Sequence, residues 1–104
     1  IIEYMKKYGA NASPDELNSY AWTVFQNCPD MKCVSEALDW SKRSFESDKN
    51  PAFLDTYANI LYKLGKKDEA LNWEQKAYGL APDAEKKGYQ DTMDKMKKNE
   101  KTWN

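Results

Sequence analysis

Two stretches of this chain repeat each other. Leu17-Asn18-Ser19-Tyr20-Ala21-Trp22 returns as Leu54-Asp55-Thr56-Tyr57-Ala58-Asn59, and Glu36-Ala37-Leu38-Asp39-Trp40 returns as Glu69-Ala70-Leu71-Asn72-Trp73. The first pair lies 37 positions apart and the second 33, so the repeating unit is one helix pair long. A unit of that size cannot bury its apolar face alone, and stacked copies of it form a solenoid. Such an array presents a surface to a partner and carries no reaction chemistry of its own.

The punctuation between the repeats is helical. Ile1, Ile2, Met5 and Tyr8 recur at helical spacing and stop at Gly9, which predicts a leading helix over residues 1–9. Ser13-Pro14-Asp15-Glu16 is a helix start, with Ser13 as cap, Pro14 in the first turn and Glu16 closing a reciprocal capping box. Leu17, Tyr20, Ala21, Val24 and Phe25 form the stripe that follows, and Cys28-Pro29-Asp30 ends it. Asp30 caps a third helix with Val34, Ala37, Leu38, Ser41 and Phe45 inward. Asn50-Pro51 opens a fourth that Gly65 ends, and a fifth runs to Ala81-Pro82. Asp83 starts a closing helix over 83–98, marked by Tyr89, Met93 and Met96; residues 99–104 read as frayed, with Trp103 able to fold back. No stretch alternates as a strand does. The expectation is an all-α domain spanning 1–104: an antiparallel helix-pair solenoid of about six helices.

Composition narrows function by exclusion. The chain has no histidine, which removes the commonest near-neutral proton shuttle and metal ligand together with every catalytic triad or dyad built on it. A formal net charge of −1 gives no bulk attraction to nucleic acid or anionic lipid. No apolar run approaches the roughly 20 residues of a membrane-spanning helix. The four glycines form no phosphate cradle. Lys95-Met96-Lys97-Lys98 reads as a solvated helix end. These points predict a protein that is not an enzyme and has no cofactor and no metal. The start at Ile1 is read as that of a piece of a longer chain.

The pattern resembles the tetratricopeptide repeat, best over residues 51–82. Ala58, Ala70 and Ala77 fall on that family's small positions, Leu54, Tyr57 and Leu61 on its large ones, Gly65 on the interhelical turn and Pro82 on the terminal proline. Small residues at a helix crossing with large ones on the flanks are what close antiparallel packing requires. The copy over 14–50 is looser: Ala21, Ala37 and Ser44 hold the small positions, but four extra residues sit between its helices and Lys49 replaces the proline. The ending Lys95 to Trp103 is also similar to the C-terminal extension of exported bacterial thioredoxin-like proteins. That second resemblance implies an exported or periplasmic location and a redox domain upstream of Ile1.

In the tetratricopeptide family a bound peptide lies against the first helix of each pair. Transferred to this chain, the resemblance implies a peptide-binding groove of Asn18, Trp22, Asp55, Asn59, Tyr62 and Lys63. Primary amides can bond a peptide backbone and aromatics supply contact area, although Trp22 could equally pack on the leading helix. The subclass that clamps a C-terminal carboxylate is not matched, since Asn18, Trp22 and Thr56 stand at its clamp positions. Cys28 and Cys33 are not a C-x-x-C redox motif and cannot make a zinc set alone; their spacing permits a disulfide in an oxidising compartment and equally two free thiols. The expected function is non-catalytic binding of a protein or peptide. The alternatives are an accessory domain docked on an upstream thioredoxin-like domain, and a self-association module forming a homo-oligomer.

Overall fold

A computed structural model describes residues 13–102 apart from Pro29 and Asp48. The leading helix expected over residues 1–9 and the expected return of Trp103 lie outside the described residues. Within them are five α-helices and no strand: α1 (Pro14–Asn27), α2 (Met31–Ser47), α3 (Pro51–Lys63), α4 (Lys67–Leu80) and α5 (Asp83–Lys97). The chain is all-α, with helix boundaries close to those that capping residues and prolines predict.

Each end has a local cause. At α1, Ser13 Oγ accepts from the Glu16 amide while Glu16 Oε1 accepts from the Ser13 amide, completing the capping box. Asp30 Oδ1 accepts from the Lys32 amide at 2.9 Å to start α2, and Asn50 Oδ1 accepts from Ala52 at 2.9 Å to start α3. Helix α3 ends in a Schellman turn: Lys66 N–H reaches Leu61 O, Gly65 N–H reaches Tyr62 O, and Gly65 takes φ 87°. Helix α5 ends the same way, with Asn99 at φ 61° in the glycine's place and Glu100 N–H bonded to Lys95 O.

At Asn99 and Glu100 that second turn replaces the fraying expected over 99–104, of which residues 103–104 lie outside the described residues. Tyr62 Oη donates to Glu100 O at 2.7 Å, and Lys67 Nζ donates to Lys97 O and Asn99 Oδ1. The same bonds give the helix directions. Lys63, at the end of α3, donates through Nζ to Phe25 O and Cys28 O at the end of α1, so α1 and α3 point the same way. Tyr62 ties the end of α3 to the end of α5, and Lys67 ties the start of α4 to that same end. The helices therefore alternate, with α1, α3 and α5 running one way and α2 and α4 returning.

The core follows the two sequence units. Around α1 and α2, Leu17, Ala21, Val24, Phe25, Val34 and Ala37 pack with Trp40 and with Ile60 of α3. At the seam, Phe45 of α2, Tyr57 of α3 and Trp73 of α4 form a triangle with centroids 5.1, 5.1 and 5.2 Å apart. Ala58, Leu61 and Ala70 close on Met96 of α5. Helix α3 is the most enclosed: Thr56, Asn59 and Ile60 are buried besides its expected stripe, because α1, α2 and α4 all pack on it.

Candidate functional site

The six residues assigned to a groove separate into three groups. Asn18 and Trp22 are half-buried on α1; Trp22 packs against the first core with its ring 5.0 Å from that of Phe25, and Asn18 Oδ1 is buried without a hydrogen-bond donor. Tyr62 and Lys63 hold the structure together. The Lys63 ammonium caps the terminal carbonyls of α1 and lies 5.4 Å from the Phe25 ring centre, where it complements the negative end of that helix. Burial lowers its pKa, and Lys101 nearby lowers it further. The Tyr62 hydroxyl is engaged by Glu100 O, and burial followed by the Glu100 charge raises its pKa.

Asp55 and Asn59 are the pair that the structure brings together. They sit one turn apart on α3, and Asn59 is only 2% exposed. Its Nδ2 donates to Asp55 O at 2.7 Å and to Asp55 Oδ1 at 3.1 Å. The amide hydrogens are thus turned inward, toward the carboxylate, because α3 is covered on most sides. A primary amide committed to a carboxylate orients that group and leaves its donors unavailable to a passing backbone.

Opposite Asp55 stands a residue that the sequence reading passed over. Glu74 of α4 is 0% exposed, and no donor reaches either of its carboxyl oxygens. It meets the Asp55 side chain. Two ionised carboxylates can only accept, so a shared proton is what joins such a pair. Burial pushes the Glu74 carboxyl up to about 11, and the hydrogen bond and charge of Asp55 add to that shift. Burial also raises Asp55, while its bonds from Glu74 and Asn59 pull it back. Glu74 is therefore the member of the pair that holds the proton. A signal for it existed: Glu74 lies four residues after Ala70 and three before Ala77, on the apolar stripe of its helix.

Asp55 opens onto a cavity of about 400 Å³ between α3 and α5, lined also by Ala84, Glu85, Gly88, Tyr89 and Thr92. The Tyr89 hydroxyl is raised by burial and then by the charges of Asp55, Glu85 and Glu74, which places it within their field. Gly88 leaves its side of the cavity vacant: a Cβ built there meets nothing within 4 Å. No lysine or arginine among the described residues pairs with Asp55 or Glu74. The two lysines between lining residues of this wall are engaged elsewhere: Lys86 donates to Tyr78 O at 2.7 Å and Lys87 to Asp91 Oδ2 at 3.1 Å. A second hollow of about 430 Å³ is lined by Leu54, Trp73 and Leu80, with Lys49 and Lys76 exposed beside it. It is apolar and contains no buried polar group.

Cys28 and Cys33 form a disulfide across the turn between α1 and α2. Among the described residues, no group of three or more acidic, cysteine or histidine side chains could hold a metal ion, and no helix is long and apolar enough to cross a membrane. Compared with protein families, with curated proteins and with solved structures, the chain matches none.

Proposed function

We propose that this chain is a non-catalytic interaction domain of tetratricopeptide type, in which α1–α2 and α3–α4 are successive repeats and α5 is the closing helix. It binds an extended protein segment along the side where α3 faces α5. The observation that carries this reading is the polar cavity of Asp55, Glu85, Gly88, Tyr89 and Thr92. It combines concave shape, an aromatic side chain and a few convergent polar groups, as binding sites for partner side chains do. The alternation of helix directions and the matching buried positions of the two units support the repeat assignment. Asp55 stays in the groove. Asn59 supports Asp55 from behind, and Tyr62 and Lys63 brace α3 against its neighbours.

The test uses displayed random peptides selected on the wild-type chain. Enriched peptides are expected to lose at least about tenfold in affinity against Tyr89→Ala and against Gly88→Leu, whose Cβ has open space and whose side chain occupies the cavity. Equal binding to wild type and both variants would place the partner surface elsewhere and overturn the reading.

A further inference from the structure

The least expected feature of this chain is a fully buried acid with no donor. Glu74 is 0% exposed, no donor reaches either of its carboxyl oxygens, and its hydrogen bond goes to the Asp55 carboxylate. A carboxyl group buried in this way is costly. Asp55 is held in place by two bonds from Asn59 Nδ2 and lines a cavity open at its other end. The cavity brings a third carboxylate, Glu85, and the face or edge of Tyr89. The wall is thus acidic on two helices, and no cation of the described residues pairs with Asp55 or Glu74. The remaining polar lining atom, the Thr92 hydroxyl, donates to Gly88 O at 3.1 Å.

We propose that the Asp55–Glu74 pair anchors a cationic side chain, the ammonium of a lysine or the guanidinium of an arginine, presented by a partner peptide through the cavity between α3 and α5. This rests on the groove reading above and names the chemistry of its partner. A cavity of about 400 Å³ has room for one long basic side chain, whose methylenes lie along Ala84 and Tyr89 and whose charge meets Asp55. Tyr89 adds cation–π attraction. In the free domain the two acids share one proton, so the pair carries a single negative charge. The entering cation neutralises that charge at Asp55, while Glu74 keeps its proton and holds the Asp55 carboxylate. The surrounding titratable groups are Asp55 on α3, Glu74 on α4 and Glu85 and Tyr89 on α5.

The experiment titrates the full chain with blocked pentapeptides, glycine throughout except for a central lysine, arginine, acetyl-lysine or norleucine. It follows backbone amides by NMR and binding heat by calorimetry. The lysine and arginine peptides are expected to shift the amides of Asp55, Gly88, Tyr89 and Thr92. They should bind at least about tenfold more tightly than the acetyl-lysine peptide. Asp55→Asn should abolish the preference, and Glu74→Gln, which resembles the protonated acid and keeps a donor beside Asp55, should retain it while the chain stays folded. Norleucine or acetyl-lysine peptides that shift the same amides as strongly as lysine would overturn the cationic anchor and leave the groove standing. No shift of these amides by any of the four peptides would sink the anchor and count against the groove as well.

Discussion

The helix pair α1–α2 and the helix pair α3–α4 share a framework and differ at the positions that frameworks do not need. Leu17, Ala21, Val24, Ala37 and Ser44 are buried in the first, and Leu54, Ala58, Leu61, Ala70 and Ala77 are buried at the matching places in the second. Where the first pair has Asn18 and Ser41, the second has Asp55 and Glu74. Even the mismatch has a common form. Asn18 Oδ1 and Ser41 Oγ are buried without donors in the first unit, as the Glu74 oxygens are in the second. The same two spots are thus kept polar in both units, at modest cost with neutral groups and at high cost with acids. A chain selected for stability alone would fill them with apolar side chains. The costly version stands in the unit that opens onto the α5 cavity, and this contrast supports the proposed site there.

The sharpest way to break the comparison is to cut what joins the units. Phe45 is buried at the seam, where its ring meets Tyr57 and Trp73 from the second pair. Phe45→Ala leaves a cavity that three helices cannot collapse into, and is expected to cost about 3–5 kcal/mol. Chemical denaturation checks this. If the units are coupled through that triangle, the variant unfolds with a lower midpoint and, where coupling is lost altogether, in two steps. A loss below about 1 kcal/mol would show that the seam is carried by other contacts.

Next in size is the acid pair, which the pH dependence isolates. Unfolded, Glu74 ionises near its ordinary value of 4.5; folded, it keeps its proton up to about 11. Between those values the folded state binds the extra proton, so the contribution of this group is fully present below the unfolded value and is lost as pH rises. The slope is at most about 1.4 kcal/mol per pH unit. Glu74→Gln resembles the protonated acid and cannot ionise. It is expected to remove that slope and to stabilise the chain by about 1–3 kcal/mol near neutral pH. Ser41→Ala at the matching place in the first unit should leave the pH dependence unchanged. Denaturation of the three proteins at about pH 5, 6.5 and 8 decides it, and parallel curves for wild type and Glu74→Gln would refute the shared proton.

These contrasts show what was legible in the sequence. Helix positions were, because Ser13, Asn50, Gly65 and the prolines act locally and each sets its boundary without regard to the rest of the chain. The stripes were legible for the same reason. Burial around α3 was not: Ile60 and Asn59 lie off its apolar stripe and are covered because a third helix packs there, which is a tertiary fact. Of the site, Asp55 could be reached by family resemblance, whereas Tyr62 and Lys63 point at partners about 38 residues away that no local pattern reveals. Glu74 was visible as a charge on an apolar stripe, yet its meaning required Asp55 across the helix pair. Residues 99–102 looked frayed because the Schellman turn at Asn99 rests on an asparagine, a weaker signal than glycine.

The smallest expected effect compares the two helix starts that open the units. Ser13 caps α1 through a capping box whose two bonds measure 3.2 and 3.4 Å, with the cap residue exposed. Asn50 caps α3 through one bond of 2.9 Å, on the helix that every other helix of the two pairs touches. Loss of a cap is felt in proportion to how much packing depends on the first turn. Asn50→Ala is therefore expected to cost about 1 kcal/mol and Ser13→Ala about 0.5 kcal/mol, with Asn50→Asp restoring most of the former. Denaturation midpoints of the three variants measure the order. If Ser13→Ala proved the more damaging, α1 rather than α3 would be the helix on which the packing of the two pairs depends.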